Sequence, residues 1–390
     1  MIILRRILPR VMLYLQAIVF CSLSCSENIT TSDNTVYVYT IPTQTDDGWQ
    51  IASLSDVGMD ETPIAQFMNE LINNIDHRFH SILIIKDGKL VFEKYFTGYD
   101  FYHGPLTEFN RDTKDNLASV TKSLTSALTG LAFDKGFIQN VNQKLFSFFP
   151  EYNDLNNGEK ENITLEHLLT MTAGFEWDES TYPHTDPKND LSQVWISNDP
   201  IRFILNRPIV TEPGTQFNYN SGSIIVLGEI IRKATGMRAD DFARDYLFTP
   251  LGINDYKWEE LPNDVLYTSG DLRLRPRDMA KLGELYLHGG VWNGQQIISE
   301  QWIEVSTKSF ISAAPEYMNW DYGYLWWLYN FEMNSQQIET FSASGWGGQK
   351  IIVFPSLDMV VAITAGYYDE PELEFQIGGL LIPVIVSSAL

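Results

Sequence analysis

Two pairs of short apolar runs, one toward each end of the chain, constrain the fold more than any other feature. Ser81-Ile-Leu-Ile-Ile-Lys and Lys89-Leu-Val-Phe-Glu-Lys-Tyr-Phe flank Asp87-Gly88, a dipeptide suited to a tight hairpin turn. Lys350-Ile-Ile-Val-Phe and Met359-Val-Val-Ala-Ile-Thr-Ala, separated by Pro355-Ser-Leu-Asp358, read as two further strands. Between them the pattern is mostly helical. The economical architecture is α+β: one antiparallel sheet assembled from both chain ends, about 58–135 and 340–390, covered by helices, with a mostly helical lobe inserted over about 140–340.

The helices are legible from spacing and punctuation. Ile64, Phe67, Met68, Leu71 and Ile75 recur at helical intervals within 61–78. Residues 163–174 carry a Thr164 cap and a Gly174 stop, while 223–236 and 277–289 are two more helices ending in glycine, the second helped at its start by Asp278. A terminal helix is expected over 373–388. No internal repeat is present.

The chain has 390 residues, 44% hydrophobic and 13% aromatic, enough to bury a large core. Residues 1–25 read as an export signal, with Arg5, Arg6 and Arg10 before an apolar stretch from Met12 to Leu23 that is short for a bilayer span. The other meaning of this stretch is a buried N-terminal helix. Both cysteines, Cys21 and Cys25, fall inside it, and Ser22-Leu23-Ser24-Cys25 resembles a loose bacterial lipobox, implying a lipid anchor at Cys25 in the cell envelope or periplasm; cleavage with secretion is the alternative. After cleavage no disulfide is available and packing alone must stabilise the fold. Residues 26–57 read as a tether or an extended arm, leaving 58–390 as the main domain. The formal charge of −23 repels nucleic acid and anionic headgroups.

Within this frame, Asp115-Asn-Leu-Ala-Ser119-Val-Thr-Lys122-Ser-Leu sets a hydroxyl and an amine three residues apart at the start of a helix of roughly 119–135. Residues i and i+3 share a helix face, so the Lys122 amine reaches the Ser119 hydroxyl. The positive helix N-terminus favours a developing alkoxide. This is the geometry of an activated nucleophile.

Other routes to an activated serine find little support. No Gly-x-Ser occurs, and none of His77, His80, His103, His167, His184 and His288 lies late in the chain where a Ser-Asp-His order would need it. His167 reads as structural. There is no His-Glu-x-x-His, so no metal is called for, and no cofactor is implied. A lysine amine near its ordinary pKa of about 10.4 is a poor base at neutral pH unless its surroundings lower it, and a tyrosine is a fitting relay partner. Phe217-Asn-Tyr219-Asn-Ser-Gly222 follows the turn Glu212-Pro-Gly214 and opens the helix at 223, which fixes the Tyr219 phenol at a helix entry.

Three motifs in order, Ser119-Val-Thr-Lys122, Tyr219-Asn-Ser221 and Ala343-Ser-Gly-Trp346-Gly-Gly-Gln349, resemble those of the serine β-lactamase-related hydrolases. This superfamily embraces class C β-lactamases, D-alanyl-D-alanine carboxypeptidases, esterases and 6-aminohexanoate-oligomer hydrolases. Segments at 164–175, 271–283, 290–294 and 322–327 are similar to the same family, with the hydrolase and esterase branch nearest in flavour. The resemblance implies a β-lactamase/penicillin-binding-type fold. It implies that Ser119 is acylated, that Lys122 is its base or relay, that Tyr219 protonates the leaving group, and that the backbone N–H groups of Ser119 and Trp346 form the oxyanion hole. Asn220, Ser221, Ser344, Gly345, Trp346 and Gly347 would contact substrate.

Two departures narrow the substrate. Where β-lactamases and transpeptidases carry Lys-Thr-Gly or His-Thr-Gly, this chain has Ala343-Ser344-Gly345, so the cation for a substrate carboxylate is missing. Tyr-Asn-Ser replaces Tyr-x-Asn, which leaves the amide's role shared by Asn220 and Ser221 or held by neither. Trp177, Tyr182, Trp195, Trp320, Trp326, Trp327 and Trp346 are candidates for an apolar pocket or for the core, with Trp346 placed at the site by its motif. The expectation is an esterase or amidase acting on small neutral substrates. The alternatives are a carboxypeptidase or β-lactamase, and a non-catalytic surface-binding protein on the same scaffold.

Overall fold

Ile82, Leu83, Ile84 and Ile85 are all fully buried because successive side chains of one strand enter two different cores. Leu83 and Ile85 join one cluster, Ile82 and Ile84 the other. The same division recurs in Gln349–Phe354, where Ile351 and Val353 oppose Ile352 and Phe354, and in Met359–Ala365. Strands that are apolar on both faces demand cover on both faces. The helices Glu61–Asn73 and Ile382–Ala389 belong to one layer, and Val120–Asp134 and Pro276–Leu287 to the other. Gly283 lets the last of these lie close on the sheet, since a β-carbon there would meet Val360 at 2.6 Å and Ile351 at 2.7 Å.

This computed structural model describes residues 36–100, 104–313 and 320–390, and residues 37–390 form one compact unit. The proposed signal and Cys25 lie outside the described residues. The main sheet runs Gln50–Ile51, Lys89–Tyr95, Phe79–Lys86, Met359–Ala365, Gln349–Phe354, Gln336–Gly345, Trp327–Met333, Asp321–Tyr322, Ile311–Ser312. The expected hairpin at Asp87-Gly88 is present, both residues having positive φ. Strands from the two chain ends meet where Met359–Ala365 pairs antiparallel with Phe79–Lys86.

Several boundaries differ from expectation. The C-terminal share of the sheet starts at Ile311, not near 340, because Trp327–Met333 pairs along its whole length with Gln336–Gly345. The edge pair Gln50–Ile51 with Lys89-Leu90 is parallel. The helix expected over 163–174 is only Leu165–Leu169, for Met171 turns into a positive φ of 58°. Its Thr164 cap is present, and His167 completes a reciprocal capping box, a structural role as expected. The helices near 223 and 277 run Ser221–Thr235 and Pro276–Leu287. The terminal helix continues from Pro371 to Ala389 through a wider turn at Ile377–Leu381.

Residues 37–51, ahead of the domain boundary expected at 58, are docked on the sheet edge. Tyr39 donates its hydroxyl to Val91 O at 2.7 Å, and buried Trp49 donates to Arg277 O at 3.1 Å. The buried Arg277 guanidinium binds Glu93 at 2.6 Å and Asp47 at 2.9 Å, with Thr43 O and Thr45 Oγ1 completing its shell. A buried arginine needs such full pairing to offset its desolvation.

Candidate active site

The segment before Ser119 is bent by three hydrogen bonds. Asn116 Oδ1 accepts the Ala118 N–H at 2.7 Å while Asn116 Nδ2 donates to Asp271 Oδ1 at 2.9 Å, and the Leu117 N–H reaches Leu272 O at 2.9 Å. These contacts hold Ala118 at φ 44°, a left-handed conformation that a non-glycine residue adopts at a penalty on the order of 1 kcal/mol or more. The bend delivers Ser119, half-buried, to the N-terminal end of the helix Val120–Asp134. Beneath it the buried pair His80–Asp115 closes at 2.7 Å. His80 also uses its Nε2 on Tyr99 O at 2.8 Å, so both ring nitrogens are engaged and neither is left to activate a serine.

Lys122 lies one turn along and is 2% exposed. Its ammonium nitrogen is 2.8 Å from Ser119 Oγ and 2.8 Å from Ser269 O, two neutral partners. Burial therefore lowers its pKa to about 8, against the opposing pull of the Glu179 and Asp271 charges. The Tyr219 ring lies 4.9 Å from the same nitrogen. Burial and the Glu179 charge push the phenol well above its ordinary value, and the nearby Ser119 side chain pulls in the opposite direction. Hydroxyl, amine and phenol thus converge, as the sequence leads one to expect.

The third motif enters from the sheet. Gly345 closes Gln336–Gly345 directly over the Ser119 bend: a β-carbon there would stand 2.5 Å from Leu117 O and 3.1 Å from Ser119 N. Only glycine permits this approach, and it brings the backbone entering Trp346 alongside the Ser119 N–H. Gly347 has φ 84° and leaves room for the Tyr368 ring. Ser344 is half-buried and shares a sheet face with Ser342 and Trp327, which are paired in register.

The two residues after Tyr219 take other tasks than the substrate contacts expected of them. Asn220 is buried, and its Oδ1 caps the following helix by accepting the Ser223 N–H at 2.9 Å. Ser221 is 1% exposed and bound through both N–H and Oγ to Glu179, at 2.8 and 2.7 Å. Glu179 also accepts the Trp177 indole N–H at 2.5 Å. Asp271 lies in a segment that resembles the family, whereas Glu179 and Ser269 have no sequence signal; one glutamate in a chain with 50 acidic residues carries no pattern of its own.

Of the aromatic candidates, Trp326 is core at 0% exposure, and Trp177 is buried behind Gly222. Trp195 packs on Tyr267, 4.8 Å between rings, and Tyr182 carries Lys188 over its face. Trp327 stacks on Tyr219 at 5.9 Å and meets Trp320 at 5.8 Å. Trp346 packs on Tyr368 at 4.7 Å and meets His184 at 5.1 Å. Aromatic surface therefore adjoins both the phenol and the glycine-rich strand end.

The sequence profile of the Beta-lactamase family matches residues 69–374, which includes all three motifs. The chain belongs to the Beta-lactamase family. This member is a serine hydrolase, and its mixed sheet-and-helix fold is that of its structural neighbours. It is 24% identical over 312 residues to the 6-aminohexanoate-dimer hydrolase of Paenarthrobacter ureafaciens, covering 74% of this chain and 73% of that one. A penicillin-binding protein homologue from Caulobacter crescentus superposes with a TM-score of 0.63 at 18% identity, covering 84% of this chain and 96% of that one. A family VIII carboxylesterase superposes with a TM-score of 0.61 at 18% identity, over 78% of this chain and 91% of that one.

Proposed function

We propose that this Beta-lactamase-family protein is an exported hydrolase that cleaves neutral esters or amides through an acyl-enzyme on Ser119. The observation that carries the proposal is the 2.8 Å contact between Lys122 Nζ and Ser119 Oγ in a pocket where the amine's hydrogen-bond partners are uncharged. A deprotonated Lys122 takes the Ser119 proton as Oγ attacks the carbonyl carbon. Negative charge developing on the carbonyl oxygen is met by the N–H groups of Ser119 and Trp346; one such donor is worth about 3–4 kcal/mol in acyl transfer. Tyr219, protonated at neutral pH, donates to the departing alkoxide or amine. The Lys122 ammonium then passes its proton to the Tyr219 phenolate; water attacks the acyl carbonyl as Lys122 takes its proton, the acyl–Oγ bond breaks, Oγ recovers that proton and the carboxylic acid leaves.

Ala343 in place of a cation disfavours substrates with a terminal carboxylate, and the aromatic surfaces of Trp327 and Trp346 favour apolar ones. The leader and Cys25 support export with a lipid anchor, checked by release of a Cys25→Ser variant from the membrane fraction. The chemistry is checked by intact mass after exposure to an aryl ester, a linear amide and nitrocefin. An acyl adduct from the ester, absent in Ser119→Ala, is expected. Nitrocefin turnover faster than ester turnover would shift the assignment to a β-lactamase or carboxypeptidase. Failure of a fluorophosphonate probe to label the folded protein would point to a non-catalytic binding protein.

A further inference from the structure

We propose that Glu179 is a positioning residue for this hydrolytic site: its carboxylate locks the Tyr219–Ser221 segment beside Ser119 and serves as the buried counter-charge to Lys122. The inference rests on the Ser119–Lys122–Tyr219 chemistry proposed above.

Glu179 is 8% exposed, so its carboxylate is largely removed from water, and each oxygen is held by the protein. Oε1 accepts the Ser221 hydroxyl, while Oε2 accepts the Ser221 N–H and the Trp177 indole N–H. Donors that all belong to its own loop and to the Tyr-Asn-Ser motif give the carboxylate a fixed position. Ser221 is the first residue of its helix, so the negative charge also stands at a helix N-terminus, where it is favoured. Through Ser221 it fixes the backbone that carries the phenol two residues earlier. Removing it would free that turn to swing with Tyr219 attached.

The second consequence is electrostatic. The groups around the Lys122 amine are Ser119 Oγ and Ser269 O in direct contact, the Tyr219 ring face, and the two carboxylates of Glu179 and Asp271 acting at longer range. Glu179 is the stronger of the two opposing charges. It favours the protonated amine and so limits how far burial depresses the lysine. The same charge disfavours the Tyr219 phenolate, so the tyrosine recovers its proton readily after giving it up. One carboxylate therefore sets amine and phenol together, although neither is within its hydrogen-bonding shell.

The test is the pH dependence of kcat/KM for an aryl ester in wild type, Glu179→Gln and Glu179→Asp, with thermal unfolding as a control and Ser119→Ala alongside. Glu179→Gln keeps the shape of the side chain but removes its charge. Its acid limb is expected to move to lower pH by roughly half a unit or more, with a plateau at least about tenfold lower because the turn is loosened. Glu179→Asp retains the charge and should keep the limb near its wild-type position while losing part of the plateau. If Glu179→Gln does not fold, Ser221→Ala separates the two roles: it removes one anchor, retains the charge, and should lower the plateau without moving the limb. An unmoved limb in folded Glu179→Gln, or a limb displaced equally by Ser221→Ala, would overturn the role of Glu179 and leave the nucleophile assignment intact. Hydrolysis by Ser119→Ala at the wild-type rate would instead overturn the chemistry on which both depend.

Discussion

Two lysines of this protein are both hidden from water and sit at the same spacing from their partners, yet their surroundings are opposite in kind. Lys281, 0% exposed on the helix Pro276–Leu287, lies 2.9 Å from the carboxylate of Asp278, which Arg275 also binds at 2.6 Å. Lys122, 2% exposed, meets only the hydroxyl of Ser119 and the carbonyl of Ser269 at contact distance. Lys281 faces an opposite charge at contact distance, so its desolvation is offset by an ion pair. A buried ammonium against neutral dipoles bears its desolvation uncompensated and is driven toward the free amine. The difference lies in the partner three residues back, serine or aspartate, more than in burial itself, and it is what makes Lys122 the proposed base.

The largest effect should come from exchanging Lys122 for an apolar side chain of similar length. Lys122→Met is expected to lower kcat/KM for an ester by on the order of 10³ or more, as loss of one member of a nucleophile–base pair does. Its unfolding free energy should change by no more than about 1 kcal/mol, or rise, because the amine's desolvation disappears with it. A stability loss matching that of Lys281→Met would break the comparison.

Next in size, Gly345→Ala forces a methyl group into Leu117 O at 2.5 Å and should reduce acylation about 10²-fold by displacing the strand end from Ser119. Titrating active sites with a fluorophosphonate probe separates this slower acylation from loss of folded enzyme.

Lys281→Met should act the other way round. Leaving Asp278 with Arg275 alone is expected to destabilise the fold by about 3 kcal/mol, the lower end for a broken buried pair, while kcat per labelled site is unchanged. Chemical denaturation measures the first and probe titration the second. A fall in kcat per site would mean that the two lysines are coupled.

The finest test is pH. With the Lys122 pKa lowered to about 8, only the deprotonated fraction can accept the Ser119 proton, so kcat/KM should rise with pH through that value. Tyr219 keeps its proton across this range, which places any alkaline fall well above it. A rate independent of pH between 6 and about 9 would contradict Lys122 as the base.

Local signals account for what could be foreseen. The strands around Asp87-Gly88 and at 350–365, the Thr164 cap and the helix following Ser119 each rest on neighbours within a few residues. Ser119 and Lys122 belong to the same class, being one helical turn apart. Other features have no local trace. Trp327–Met333 was hidden inside a stretch that reads as helical lobe, since its strand character depends on a partner across the sheet. Asn220 and Ser221 follow Tyr219 directly and invite a substrate role, but the first is consumed by a helix cap and the second by a glutamate from another loop.

By itself the sequence determined the class of fold and singled out Ser119 with its amine, the Tyr219 phenol and the glycine-rich strand as candidates, because each of these is written in period, punctuation or motif. Only the tertiary structure decided the electrostatics. Whether an amine is a base depends on which charges lie near it in a low-dielectric interior. Glu179 and Asp271 reach Lys122 from distant stretches of chain, so their effect exists only once the chain has folded.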